Sequence, residues 1–182
     1  MLRTRDYTLR EPAYRLGSAA LLVAAATILV ALGFEHLGGY KPCPLCLQQR
    51  YAYYLAIPLA FVALVALASG RKVLAASLFM LASLAFLGNA GLGVFHAGAE
   101  WKFWPGPDTC GGALEPLRPL VGDLKREAAS TRVIRCDEAP WRLAGLSFAG
   151  WNVVVSLLLW ITFLQAAFAA PVSGTRSTGG PR

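Results

Sequence analysis

LGSAALLVAAATILVALGF, the stretch from Leu16 to Phe34, runs for 19 residues without a charge. Wound as a helix at about 1.5 Å per residue, it nearly matches a hydrocarbon core of roughly 30 Å. Met1 to Arg15 carries four arginines, so the segment invites comparison with a secretory signal peptide. It is longer than an h-region of about 7–15 residues, and no A-x-A-like cleavage site precedes Glu35. The reading is an uncleaved first membrane helix over 16–34.

Three more apolar runs follow, at 51–68, 73–95 and 146–170, with the second expected to begin a turn early near Leu45. Pro58 falls inside the second, where a bundle tolerates a kink. The chain is 56% hydrophobic and 15% charged, with mean hydropathy +0.51, too little polar material for the shell of a soluble domain. The expected fold is all-α: a single integral membrane domain over 1–182, built as a four-transmembrane-helix bundle. Loops cover 35–50 and 96–145, and a Gly/Ser/Thr-rich tail over 171–182 is expected to be disordered. In the long loop, Leu114, Leu117, Leu120, Val121 and Leu124 have near-helical spacing broken by Pro116 and Pro119. That pattern suits either an amphipathic segment on the membrane surface or a small packed loop.

The net charge of +7 does not point to nucleic acid. The stretch from Glu100 to Arg142 holds seven basic and seven acidic residues, and the excess sits at the chain ends and at Arg71-Lys72. With four spans both termini share one side. That side has eight Lys/Arg in roughly thirty positions, against nine in about twice the length on the other. The density places the termini in the cytoplasm and both cysteine-bearing loops outside, in a redox-permissive compartment.

Four cysteines form two pairs, Cys43/Cys46 and Cys110/Cys136. A C-x-x-C at a helix start lets two sulfurs meet in a small reactive ring, with the helix N-terminus favouring a thiolate. Arg50, four residues after Cys46, shares its helix face and would stabilise that thiolate or offer hydrogen bonds to the carbonyl oxygen of an electron acceptor. The same pair could instead be an inert disulfide or half of a zinc site, with His36 and His96 the only histidines available. Cys110 follows Trp104-Pro105-Gly106-Pro107, which forces a turned, exposed path. A Cys110–Cys136 bond could be a staple worth about 3 kcal/mol. Beside the first pair it reads better as a partner in stepwise thiol–disulfide exchange. No G-x-G-x-x-G element suggests a nicotinamide or flavin.

Phe34-Glu35-His36, Lys41-Pro42-Cys43-x-x-Cys46-x-x-x-Arg50, the loop pair Cys110/Cys136, Trp104-Pro105-Gly106-Pro107 and Trp141 together resemble the bacterial disulfide bond formation protein B (DsbB) family, over roughly residues 14–170. The resemblance implies a quinone-dependent thiol oxidase of the bacterial inner membrane with a long periplasmic loop between helices 3 and 4. Cys110–Cys136 would oxidise a periplasmic DsbA-like thioredoxin-fold protein, with Cys110 forming the mixed disulfide. Cys43–Cys46 would reoxidise the loop pair, and Cys46 would pass two electrons to ubiquinone or menaquinone. Arg50 would help hold the quinone, and His96, at the outer end of helix 3, matches a position near the quinone pocket. Glu35-His36 carries no assigned role, and helix 4 no motif. The energetics agree: such a partner sits near about −120 mV, and a glutathione pool at about −180 mV or below cannot reoxidise it. The other readings are a soft-metal carrier, a structural membrane protein with two staples, and a bundle like vitamin K epoxide reductase, which places its C-x-x-C differently.

Overall fold

Proline sets the start of two of the long helices. In the computed structural model, which describes residues 11–106, 136, 139 and 141–172, Pro12 opens α1 (Pro12–His36) and Pro44 opens α2 (Pro44–Ala68). At the first helical position a proline loses no hydrogen bond, and its fixed φ already suits the helix. α1 therefore begins before the uncharged run does, taking in Arg15. α2 continues through Pro58 and stops at Ser69-Gly70, where Gly70 takes a φ of +76°. α3 (Lys72–Glu100) and α4 (Phe148–Val172) complete a set of four helices long and apolar enough to cross a membrane.

α3 is longer than expected. The sequence reading ended it at Phe95 and gave His96 to the loop; the helix runs one more turn, to Glu100. No proline interrupts 96–100, and the indole of Trp104 folds back onto Gly98, where a Cβ would lie 2.0 Å from the ring. Trp104 also donates to the Phe95 carbonyl at 2.8 Å. The start of α4 differs too. Leu146, expected to open the helix, instead belongs to β2 (Leu146–Ser147), which pairs antiparallel with β1 (Arg142–Leu143). Ala144 and Gly145, at φ 51° and 83°, make the two-residue turn, and left-handed backbone at both positions is what a tight hairpin of this kind needs. The expected surface segment 114–124 and the tail from 173 onward lie outside the described residues.

The helices pack in a ring, each against the next, with α4 closing on α1. Their contact faces are small: Ala20 and Ala24 of α1, Ala56 and Ala60 of α2, Ala82 of α3 and Ala166 of α4 are buried. Gly17 lets the Phe79 ring approach so closely that a Cβ would stand 2.5 Å from Cζ. Phe79, Phe86 and Phe163 stack through the centre. Large apolar side chains point outward instead: Leu22 is 70% exposed, Phe61 60% and Val73 77%. This inverts the soluble pattern and fits a lipid solvent, in which association relies on close packing of small residues and on interhelical hydrogen bonds. Asn89 supplies such bonds, donating to Ser156 Oγ at 2.9 Å and Asn152 Oδ1 at 3.3 Å, while Tyr53 donates to the same Asn152 oxygen at 2.8 Å. The chain is a multi-pass membrane protein.

Candidate thiol redox site

The end of the bundle where α1 and α3 finish and α2 and α4 begin gathers most of the residues that the sequence singled out. Cys43 caps α2 in an extended conformation, and its sulfur accepts the Cys46 amide at 3.2 Å. The two sulfurs share a hydrogen bond at 2.8 Å, and both thiols are free. That spacing exceeds the roughly 2.05 Å of a disulfide, yet the two-residue spacer has already brought the atoms face to face. Cys43 is buried, and Cys46 is partly exposed.

The Cys43 thiol is lowered to about 5 from its ordinary value of 9.0. The hydrogen bond from Cys46 contributes most; burial opposes it; His96 and the Cys46 amide add to the lowering. His96 is brought in by the extra turn of α3. Its Nε2 lies 3.7 Å from the Cys43 sulfur, and Nδ1 lies 3.0 Å from the Gln49 amide nitrogen. Cys136 is buried and disulfide-bonded. The Cys43 and Cys136 sulfurs and a ring nitrogen of His96 all lie within 4.8 Å of one another. A cluster of this size could hold a soft metal ion if both sulfurs were thiolates, but here the Cys136 sulfur is in a disulfide. Cys110 lies outside the described residues.

Arg50 forms an ion pair with Glu35 at the end of α1. The two residues that followed Phe34 in the motif therefore separate: Glu35 turns in to Arg50, whereas His36 is exposed. Phe34 meets Tyr40 and Phe148 edge to face and Trp141 at a tilt, tying α1, the first loop, the hairpin and α4 into one wall. Below that wall is a cleft of about 540 Å³, within the range of small-molecule sites, with Cys43, Cys46, Arg50 and His96 at its head. Its lining includes Val23 and Val30 of α1, which are exposed on the outer face of the bundle. The cleft thus opens sideways, onto the surface that faces lipid.

Three further residues of the site were not picked out from the sequence. Gln49 is held against His96. Glu100 stands 3.7 Å from His96 Nε2 and is 7% exposed, with its Oε2 unpartnered among the described residues. Asn152, on α4, lines the cleft beside Tyr53. The i, i+4 spacing of His96 and Glu100 was a usable signal once α3 was known to continue. Gln49 and Asn152 had none, because their partners come from other helices.

The profile of the family described as disulfide bond formation protein DsbB matches residues 14–166. A disulfide bond formation protein B of Acidovorax sp. (strain JS42) is 33% identical over 80% of this chain and 83% of its own length. One of Verminephrobacter eiseniae (strain EF01-2) is 33% identical over 86% and 88%, and one of Acinetobacter baumannii (strain ATCC 17978) is 30% identical over 85% and 91%. No solved structure matches the chain.

Proposed function

The chain belongs to the DsbB family, and from that premise we propose that it reoxidises a periplasmic DsbA-like thioredoxin-fold protein and delivers the electrons to a membrane quinone. It is a thiol–disulfide oxidoreductase. The observation that carries the reading is the approach of the Cys43 and Cys136 sulfurs, within 4.8 Å, at the head of a cleft open to lipid. Exchange needs a thiolate near a disulfide sulfur, and the hydrogen bond with Cys46 and the nearby His96 favour the thiolate of Cys43.

In the proposed cycle the partner's thiolate attacks Cys110, the Cys110–Cys136 bond breaks, and Cys136 leaves as a thiolate. Cys136 then attacks Cys43 of an oxidised Cys43–Cys46 pair, and Cys46 leaves as a thiolate. The partner's second thiolate attacks its own sulfur in the mixed disulfide, which breaks the partner–Cys110 bond, releases the oxidised partner and leaves Cys110 as a thiolate. Cys110 then attacks Cys136, the Cys136–Cys43 bond breaks and Cys43 leaves as a thiolate, giving a reduced membrane pair beside an oxidised loop sulfur, the state of Cys43, Cys46 and Cys136 here.

The residues at the cleft suit a quinone. The walls are apolar, the mouth faces lipid, and Arg50 supplies a planar donor suited to a carbonyl oxygen. A bound quinone, ubiquinone or menaquinone, supplies a two-electron acceptor at the potential required. Arg50 and His96 are the proposed contacts, and Glu35 fixes the Arg50 side chain. The proposed setting is the bacterial inner membrane, with both termini cytoplasmic and the cysteine loops periplasmic, on the strength of the basic-residue density.

The test uses the full chain in lipid, a reduced DsbA-like protein and each quinone in turn. Cys43→Ser and Cys46→Ser should each abolish quinone-linked oxidation of the partner. Full activity in both variants would refute the reading.

A further inference from the structure

Glu100 is the one carboxylate at the cleft whose place the redox cycle leaves unexplained. Burying a carboxyl group in a membrane-spanning helix costs free energy, and such residues are functional candidates by default. Its Oε1 faces His96 Nε2 at 3.7 Å, the same nitrogen that lies 3.7 Å from the Cys43 sulfur. Its second oxygen has no hydrogen-bond partner among the described residues. A side-chain hydrogen bond with Ser147 of β2 also acts on the carboxylate, so Glu100 ties α3 to the hairpin as well as facing a ring nitrogen, and its Oε2 is left unused.

We propose that Cys43, His96 and Glu100 form a buried acid–base triad in which His96 takes the proton from the Cys43 thiol and Glu100 positions and stabilises the resulting imidazolium. In this step the S–H bond of Cys43 breaks, the bonding pair stays on sulfur, and the proton forms an N–H bond at Nε2. No electron changes hands, so no oxidant is needed. The arrangement follows the general logic of a nucleophile, a base and a group that orients the base. Gln49 serves both states of the ring. With its amide turned so that the carbonyl faces the ring, it accepts Nδ1–H in both the neutral ring and the imidazolium, which leaves Nε2 unprotonated and free to receive the Cys43 proton. His96 is a catalytic residue here because it touches the reacting sulfur; Glu100 acts through it and is a positioning residue.

The other charged and titratable groups around the trio are few. Cys46 lies beside Cys43 on α2, and Arg142 of β1 acts on Glu100 through its field. Cys136 contributes a disulfide sulfur without charge. Arg50 and Glu35, from α2 and α1, are paired with each other. His96 is thus the nearest base to Cys43 among the described residues, and the lowered Cys43 thiol, to which His96 contributes, accords with that.

The inference rests on the thiol-oxidase reading for its purpose, but its test needs neither quinone nor partner. The full chain is prepared in lipid nanodiscs with Cys46→Ser, Cys110→Ser and Cys136→Ser, leaving Cys43 as the only thiol. The rate of Cys43 alkylation by iodoacetamide is followed against pH. Glu100→Gln should raise the midpoint by about one pH unit, roughly a tenfold loss of thiolate at a fixed pH below it. Glu100→Asp should restore part of the shift, and in a His96→Asn background Glu100→Gln should add nothing. An unmoved midpoint in Glu100→Gln, or an equal shift without His96, would overturn the triad. A second measurement uses no substitution at the triad. The chain has two histidines, so ring-nitrogen NMR of the Cys43-only protein resolves His96 from His36. His96 should become an imidazolium as the thiolate forms; a ring that stays neutral across that transition would also overturn it.

Discussion

Cys43 and His96 are 53 positions apart in the chain and 3.7 Å apart, Sγ to Nε2, in the fold. The approach requires three things at once: a proline-started α2 that puts Cys43 at its cap, an α3 that continues past Phe95, and a ring of helices that brings those two ends together. His96 adds to what the Cys46 hydrogen bond and the helix start already do to the Cys43 thiol.

The first consequence is a pH profile. Since the thiol is lowered to about 5, Cys43 of the membrane pair, reduced as in this structure, should alkylate at a rate that is flat from neutral pH upward and falls only as pH drops through about 5. Peptide mapping by mass spectrometry separates it from Cys46. A midpoint near the ordinary thiol value of 9.0 would contradict the arrangement.

Arg50 and Glu35 should behave as one unit in stability. Their side chains are 13% and 25% exposed, so removing either leaves a largely buried charge without its partner. Arg50→Gln and Glu35→Gln should each destabilise by up to about 3–5 kcal/mol, and the double variant by clearly less than the sum. Thermal unfolding in a fixed detergent gives the cycle. Strict additivity would mean that the pair contributes nothing.

The polar cluster in the bundle interior should also be measurable. Asn89→Leu removes donors to Ser156 and Asn152 between α3 and α4. Interhelical hydrogen bonds in membranes are worth about 0.6 kcal/mol on average and up to roughly 1.7. A loss of about 1–2 kcal/mol is therefore expected for Asn89→Leu, and no change in unfolding midpoint would count against the network.

Gly17 gives the packing prediction. A Cβ there meets the Phe79 ring at 2.5 Å and Leu64 at 3.2 Å. Gly17→Val should cost about 1–3 kcal/mol by overpacking, whereas Gly33→Val, at a position with open space, should be near neutral. Equal effects at both sites would show that α1 does not seat as described.

The span count and most of the site were legible in the sequence because both are written locally. Uncharged runs give spans, and Cys43-x-x-Cys46-x-x-x-Arg50 puts its members on one helix start. His96 was legible as a residue but not as a helical one, because what prolongs α3 is Trp104 folding back onto Gly98, a contact that periodicity does not encode. The same holds for Glu35, read without a role until Arg50 appeared beside it, and for Gln49 and Asn152, whose partners lie on other helices. The hairpin before α4 was hidden because Leu146 and Ser147 are as compatible with a helix start as with a strand.

The central claim is that the loop pair and the membrane pair exchange through Cys136 and Cys43. The most direct measurement is disulfide mapping of a Cys46→Ser, Cys110→Ser variant in membranes, which leaves those two sulfurs as the only thiols. The proximity of the sulfurs, within 4.8 Å, leads to near-complete formation of a Cys43–Cys136 bond under mild oxidation, read as a single linked peptide pair. If both thiols stay free, or link only between molecules, the two pairs do not meet and the relay as described is wrong.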